Sequence, residues 1–420
     1  MNVIKFIQEN GLFKDTIIMM IAMTLANFFN YLYQLIMGRL LTPQEYGELF
    51  SLLSLFYIFS VFSNTVNASI TKFVTAYSTR REYGKIKAIL IKGTKVLGGL
   101  GLSIYLVIIV ISPLLSKFLR IEAHVPLLVL FASLPLAIVL PMYQGVLRGT
   151  QRFVALGSSL SLWAFFKMLF GVALVLWGYG VLGGVFGVFI AHVGSLLFTL
   201  FLLRGIFRVR GEGRIDVGDF LKYSWMAFLV MLAYNVMWNI DVILVKHYMS
   251  SVEAGEYSAI SVLGKIALFA PAAVGIVVFP KTAEKHEMGE EHFHILLRGI
   301  VFAVLISGGV VLLYAFFPEF IITLVYGGKY INIAPYLWEY GLAMTFLALT
   351  GVVMNYALSV NKTEIFYPML ITVIGEIIAV YYLKQSIGNI VTGILIAMLV
   401  GWILVMVVLL KNLNERRILG

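Results

Sequence analysis

Long apolar stretches alternate with short polar connections along the whole of the 420-residue chain. Twelve stretches have about 20 residues each, the length of a helix that crosses a hydrocarbon core of ~30 Å. The predicted spans are 15–38, 48–70, 93–115, 124–146, 153–177, 180–203, 223–248, 254–279, 295–316, 332–358, 364–384 and 389–410. None has the alternating polarity of a membrane β-barrel strand. Since a bilayer accepts only helices or closed barrels, the pattern predicts an all-α integral membrane protein with about 12 transmembrane helices.

One motif occurs twice between neighbouring apolar stretches. Residues Leu41–Glu48 (LTPQEYGE) return as Met249–Glu256 (MSSVEAGE), 208 positions later, almost half of the chain. Three further landmarks, among them Pro113 and Pro318, recur in the same order at nearly the same offset. Six predicted helices separate the copies, and six is an even number, so both halves enter the membrane from the same side. The repeat therefore predicts two parallel six-helix lobes, as in many transporters.

The repeat and the polar connections predict five segments. They are an interfacial N-terminal segment 1–14, an N-terminal lobe 15–204, a cytoplasmic linker 205–222, a C-terminal lobe 223–410 and a cytoplasmic tail 411–420. The first segment mixes apolar and charged residues like a short helix lying in the membrane interface.

Composition and charge narrow the class of protein. Apolar residues make up 61% of the chain and charged residues 12%, against about 25% charged residues in soluble domains. With the N-terminus in the cytoplasm, 23 of the 31 basic residues fall on the inner side. This bias predicts a multi-pass protein of the cytoplasmic (inner) membrane with both termini in the cytoplasm. The formal charge of +10 is spread along inner loops, so we expect membrane lipids as partners and no nucleic acid.

Several chemistries are not predicted. Gly178, Gly180 and Gly183 spell the dinucleotide fingerprint GxGxxG, but no strand precedes them, so we expect a tight turn between helices. The acidic and histidine-rich loop 284–294 fits no metalloenzyme spacing. The chain has no cysteine, and no loop exceeds roughly 25 residues. We predict no catalytic residues, metal site or organic cofactor, and no enzymatic activity.

Four charged residues lie inside predicted helices, where each costs at least ~2.5 kcal/mol. They are Lys167, Asp241, Lys265 and Glu376. Helical rise places Asp241 about 12 Å and Lys265 about 16 Å from the outer ends of neighbouring helices. The two opposite charges are thus expected to pair. The pair would either lock the two helices together or form a working site in a cavity.

Uncharged polar residues follow helical spacing in corresponding helices of both halves. The candidates are Asn27, Asn30 and Gln34 in helix one, Asn64 in helix two, and Asn235 and Asn239 in helix seven. Arg39 follows at the outer rim. Such residues either hold helices together or line a wet path. Their recurrence in both halves favours a central cavity between the lobes.

Three blocks carry a family resemblance. The run Gly38–Gly47 (GRLLTPQEYG), the turn Gln144–Phe153 (QGVLRGTQRF) and, above all, the block Asn239–Pro280 resemble polysaccharide biosynthesis proteins of the O-antigen flippase type. These belong to the multidrug, oligosaccharidyl-lipid and polysaccharide (MOP) exporter superfamily. The resemblance covers essentially the whole chain and implies a MATE-like fold of two lobes around a central cavity that opens alternately to either side.

The resemblance also implies a function. Members flip a polyprenyl-pyrophosphate-linked oligosaccharide from the cytoplasmic to the outer leaflet, and polysaccharide polymerases or glycosyltransferases are possible partners. Lys265, with Lys167 and Arg39, would then attract the pyrophosphate. Lipid II flippases of this superfamily differ in having an arginine-rich cavity and two further helices, so another lipid-linked glycan is expected here.

A second function stays open at this point. A multidrug or cation antiporter of the MATE type would use Asp241 and Glu376 as exchangeable carboxylates, driven by H⁺ or Na⁺. The same ions are the possible coupling ions of a flippase. A non-transporting scaffold for glycan assembly would leave the repeat symmetry unexplained.

Overall fold

The computed structural model describes the chain apart from residues 1–10, 122–123, 210–217, 361, 419–420 and ten positions between 273 and 289. Within the described residues all regular structure is helical. The helices of the first half are α1 (Gly11–Leu40), α2 (Pro43–Phe59), α3 (Val61–Thr79), α4 (Tyr83–Leu119), α5 (Val125–Ala132), α6 (Leu134–Gly149), α7 (Phe153–Leu174) and α8 (Gly180–Phe207). Those of the second half are α9 (Gly218–Met237), α10 (Ile240–Tyr248), α11 (Ser251–Phe269), α12 (Phe293–Phe316), α13 (Pro318–Tyr326), α14 (Leu337–Ser359), α15 (Phe366–Leu383) and α16 (Ile387–Ile418).

The predicted membrane-spanning character is confirmed. Eight helical stretches of the described chain are long and apolar enough to cross a bilayer, or nine if the bent pair α9 and α10 is one span. Phe153–Phe207 counts as one stretch but contains two predicted helices. They are joined at Gly178 and Gly180, whose φ angles of 90° and 48° form a tight turn, as expected for the GxGxxG sequence. The fold class is therefore correct, and the count of twelve stays a prediction.

The terminal and linker segments are only partly described. Residues 1–10 of the predicted interfacial segment and 210–217 of the predicted linker lie outside the described residues. Helix α1 begins at Gly11, so the end of the interfacial segment is continuous with the first helix. Helix α16 continues to Ile418, through most of the predicted tail.

Several predicted spans are interrupted within the described residues, which their apolar character did not indicate. Span two breaks at Ser60, between α2 and α3, and span four at Ser133, between α5 and α6. Span seven breaks at Trp238 and Asn239, where α9 and α10 meet at 43°. Broken helices within a membrane leave backbone groups unpaired and commonly mark binding sites in transporters.

The chain divides into two compact units by its contacts. Unit 1 comprises 1–41 and 59–224, and unit 2 comprises 42–58 and 225–420. In unit 1, α7 packs against α8 and α1, and α3 packs against α6. Its buried core includes Val74, Leu90, Met142, Val146 and Leu203. In unit 2, α14 packs against α11, α12 and α16, and α10 packs against α15. By its contacts α2 groups with the C-terminal helices, although it lies in the predicted N-terminal lobe, and the predicted segment boundaries stay a prediction.

The repeated motif explains that grouping. Thr42 and Glu45 form a reciprocal capping box at the start of α2, with hydrogen bonds of 2.9–3.3 Å, and Ser250 and Glu253 form the same box at the start of α11. A Cβ atom added to Gly47 would lie 2.7 Å from the backbone nitrogen of Gly255. The two copies therefore pack backbone to backbone, which only glycine permits here.

Gly255→Ala is expected to destabilise the protein by about 1–3 kcal/mol, because its methyl group would overlap the carbonyl oxygen of Pro43. The overlapping atom belongs to the backbone and cannot rotate away. Gly309→Ala is the control, since nothing lies within 4 Å of a Cβ atom at that helical position. Thermal unfolding of the detergent-solubilised variants measures both. Equal melting temperatures would mean that the close crossing is not required.

Candidate functional site

Asp241 lies in the first turn of α10, directly after the break in span seven, and is 1% exposed. Its Oδ2 atom accepts hydrogen bonds from the hydroxyls of Tyr257 (2.8 Å) and Tyr340 (2.6 Å). The two rings meet edge to face with centroids 5.7 Å apart. Ser261 Oγ lies 3.1 Å from the Tyr340 hydroxyl and extends the network. The helix N-terminus and the two phenols thus stabilise negative charge on Asp241.

Among the described residues, three carboxylate oxygens near this network have no hydrogen-bond partner. They are Oδ1 of Asp241 and both oxygens of Glu376, a residue of α15 with no exposed surface. Helices α10 and α15 pack together, and the two carboxylates interact electrostatically with each other and with the Lys265 amine. Unpaired buried carboxylate oxygens are costly, so the cluster favours a proton or a small cation at this place.

The expected Asp241–Lys265 pair is not formed. In the part of the chain that the structure describes, side chains pair within 4.0 Å at Lys85–Glu82 and Lys285–Glu290, and not at these two residues. Similar depth along two helices does not fix which way the side chains turn about the helix axes. Asp241 turns toward phenol donors on α11 and α14, whereas the half-buried Lys265 places its Nζ atom 5.7 Å from the centre of the Trp238 ring. The structure thus does not show the static pair, and the working site stays a prediction.

Aromatic rings surround the break in span seven. The Trp238 ring stacks on Tyr57 with centroids 6.4 Å apart and planes at 16°, and meets Phe269 edge to face at 5.2 Å. Phe269 also lines a cavity of about 150 Å³ in unit 2. Tyr234 and Asn355 are polar members of its lining, which otherwise consists of Leu268, Pro271, Ala272, Gly275, Ala348, Gly351, Val352 and Met354.

Lys167 lies in a separate cluster in unit 1. It is 1% exposed, and its Nζ atom lies 4.7 Å from the ring centre of Tyr33 and 5.1 Å from that of Trp163. The Trp163 ring contacts the His192 ring edge to face at 5.3 Å. Cation–π contact with two rings partly replaces the hydration of a buried amine. In this structure the amine is enclosed, so its proposed contact with a headgroup stays a prediction.

The remaining candidates are distributed over both units. In unit 1, Asn27 and Arg39 are exposed on α1, and Asn30 and Gln34 are half-buried on the same helix. The side chain of Asn64 lies outside the described residues. In unit 2, the buried Asn239 donates its amide to the backbone oxygen (3.0 Å) and Oδ1 (3.1 Å) of Asn235. Both bonds are local to the end of α9, so the choice between holding helices together and lining a wet path stays open.

The sequence analysis missed the aromatic members of both clusters. Tyr257 and Tyr340 bind Asp241, Trp238 meets Lys265, and Tyr33 and Trp163 enclose Lys167. In a chain with 22 tyrosines and 31 phenylalanines, aromatic residues give no signal by themselves. Trp238 does stand out, because it directly precedes the Asn239 and Asp241 positions that the sequence singles out.

The sequence profile of a family described as "Polysaccharide biosynthesis protein" matches residues 12–286, more than half of the chain. The chain belongs to this family. The resemblance noted from the sequence blocks is thereby confirmed. No curated protein sequence matches the chain.

Solved structures of low sequence identity share the fold. An inward-facing multidrug resistance MATE family transporter of the MOP superfamily aligns with a TM-score of 0.75 and 14% identity over 92% of this chain and 96% of that one. Lipid II flippase MurJ, in an inward closed conformation, aligns with a TM-score of 0.71 and 15% identity over 93% and 87%. A MATE protein in complex with MaL6 gives 0.67 and 15% over 96% and 97%. These likenesses confirm the MATE-like fold.

Proposed function

We propose that this family member flips a polyprenyl-pyrophosphate-linked oligosaccharide from the cytoplasmic to the outer leaflet by alternating access. A polar, anionic headgroup meets no compensation in ~30 Å of hydrocarbon, so a protein must supply hydrogen bonds and positive charge. The observation that carries the proposal is the half-buried Lys265 amine, which lies 5.7 Å from the Trp238 ring centre and forms neither of the two ion pairs found among the described residues. Phe269 of the cavity lining follows Lys265 by one helical turn. A protonated amine in this position can form charge-assisted hydrogen bonds with a pyrophosphate.

The carboxylates have a different role in this proposal. When Asp241 and Glu376 are both ionised, their two negative charges exceed the single positive charge of the Lys265 amine, which interacts electrostatically with both. A proton or Na⁺ would neutralise that excess. Since the headgroup binds at Lys265 and the cation at the carboxylates, uptake of one ion would change the field at the lysine and couple the two events.

The family match and the lipid II flippase with the same fold support the substrate class. The chain would lie in the cytoplasmic membrane with both termini inside, where the lipid-linked substrate is made. Glycosyltransferases that supply this substrate and a polymerase that consumes it are the partners that such a role requires.

A second candidate is a MATE-type cation antiporter, favoured by the two buried carboxylates and by the MATE structures with the same fold. Expression in a strain that lacks its O-antigen flippase distinguishes the two. The flippase proposal predicts restored surface glycan and unchanged sensitivity to cationic dyes. Dye resistance without surface glycan would support the antiporter and contradict the flippase.

A further inference from the structure

The aromatic group at the break of span seven is more exposed than core aromatic residues are. Phe269 is 40% exposed, and Tyr57 and Trp238 are half-buried. We call Tyr57, Trp238 and Phe269 the Trp238 platform. In contrast, Tyr257 and Tyr340 of the same unit are fully buried, and their hydroxyls donate hydrogen bonds to Asp241. Part of the Phe269 ring therefore stays accessible beside the half-buried rings of Tyr57 and Trp238.

The platform adjoins both the amine and the cavity. Lys265 precedes Phe269 by one helical turn on α11, and Tyr234 near the end of α9 precedes Trp238, in the break after that helix, by four residues. Contacts agree with this arrangement: Lys265 Nζ lies 5.7 Å from the Trp238 ring centre, and Phe269 and Tyr234 both line the cavity. One site thus presents positive charge, ring faces and a small cavity side by side.

The size and lining of the cavity limit its occupant. At about 150 Å³ it is smaller than the 300–1,000 Å³ pockets of drug-sized ligands, so it takes one ring-sized unit. Asn355 uses one N–H on the Gly351 oxygen (2.8 Å) and keeps its side-chain oxygen as an acceptor, and the Tyr234 oxygen is an acceptor too. A hydrocarbon tail forms no hydrogen bonds with these groups, and a cation would be repelled by the positive charge of Lys265.

A pyranose ring matches all of these features. Its C–H face stacks on aromatic rings, whose faces are negative, and its hydroxyls match the acceptors. A phosphate on its anomeric carbon would extend toward the amine. Resting on the proposed function, we propose that the Trp238 platform binds the first sugar of the headgroup, the one joined to pyrophosphate, with Tyr234 and Asn355 bonding its hydroxyls and Lys265 the phosphate.

Two soluble probes separate the sugar from the phosphate. Geranyl pyrophosphate and the same molecule carrying N-acetylglucosamine on the pyrophosphate are titrated calorimetrically into the purified full-length protein in nanodiscs. Wild type is expected to bind the glycosylated probe about tenfold more tightly, as one good stacking contact allows. W238L is expected to lose that advantage and to bind geranyl pyrophosphate as before, which also shows that it is folded. W238F, which keeps a ring, retains most of the advantage.

The control is W177L, because Trp177 is 78% exposed in the turn after α7, in the other unit. It should bind both probes as wild type does. If W238L still binds the glycosylated probe more tightly than geranyl pyrophosphate, the Trp238 platform does not bind the sugar, and the flippase proposal remains intact. Failure of wild type to bind either probe would contradict the proposed function, and this inference with it.

Discussion

Lys265→Glu is expected to abolish glycan export, with a loss of at least about 100-fold, while the protein still inserts into the membrane. Losing a charge-assisted bond to pyrophosphate costs about 1.5–3 kcal/mol, or roughly 10- to 100-fold, and the new carboxylate adds repulsion. It also places a third negative charge beside Asp241 and Glu376. Surface glycan in the flippase-deficient strain, normalised to the amount of protein in the membrane, measures the effect.

Two variants make this result specific. Lys265→Arg keeps the charge and should retain a substantial part of export. Lys117→Glu makes the same charge change at an exposed lysine on α4 and should export like wild type. Full export by Lys265→Glu would rule out the headgroup role of this amine.

Glu376→Gln is expected to reduce transport by at least about tenfold without lowering stability. Neither Glu376 oxygen has a hydrogen-bond partner among the described residues, so the neutral amide of the same size loses no bond and cannot take on the negative charge that burial opposes. A residue with a purely structural role would show the opposite, with reduced stability and near-normal transport. Thermal unfolding and transport are therefore measured on the same preparation.

Asp241→Asn completes the comparison. The Asn oxygen can still accept from Tyr257 and Tyr340, so the packing is kept while the charge is lost. Both neutral variants should lose the dependence of transport on an H⁺ or Na⁺ gradient. Wild-type rates with an unchanged response to the gradient in both variants would show that these carboxylates do not couple transport to an ion.

The hydrophobic pattern was sufficient to predict an all-helical membrane protein. Apolar runs of membrane length allow only helices, and the turn at Gly178 followed from the chemistry of its glycines. The breaks at Ser60, Ser133 and Trp238 were not predicted, because hydropathy reports whether a segment is apolar and not whether it is continuous. Such breaks depend on the backbone partners that tertiary packing supplies.

The repeated motif indicates more than a duplication of the chain. Thr42 and Ser250, each followed three residues later by Glu, spell a capping box that is readable from sequence. The contact between Gly47 and Gly255 is not readable in that way, since it joins residues 208 positions apart. It requires knowing which helices cross.

The sequence singled out three charged residues of the cluster but not the contacts that they make. Charges within apolar helices pointed to Asp241, Lys265 and Glu376, which the structure brings into electrostatic range of one another. The expected ion pair is not formed, because the depth of a residue along its helix does not determine how the helix is rotated about its axis. Tyr340, which binds Asp241 from 99 positions along the chain, could not have been found without the fold.

The most direct test of the flippase is translocation by the purified protein alone. Proteoliposomes are prepared with a polyprenyl-pyrophosphate-linked, fluorescently labelled oligosaccharide in both leaflets, and an impermeant quencher reports the label that reaches the outside. Wild type is predicted to move the inner pool outward, faster with an imposed H⁺ or Na⁺ gradient, and Lys265→Glu is predicted to match protein-free liposomes. Movement at the protein-free rate by wild type under both gradients would contradict the account.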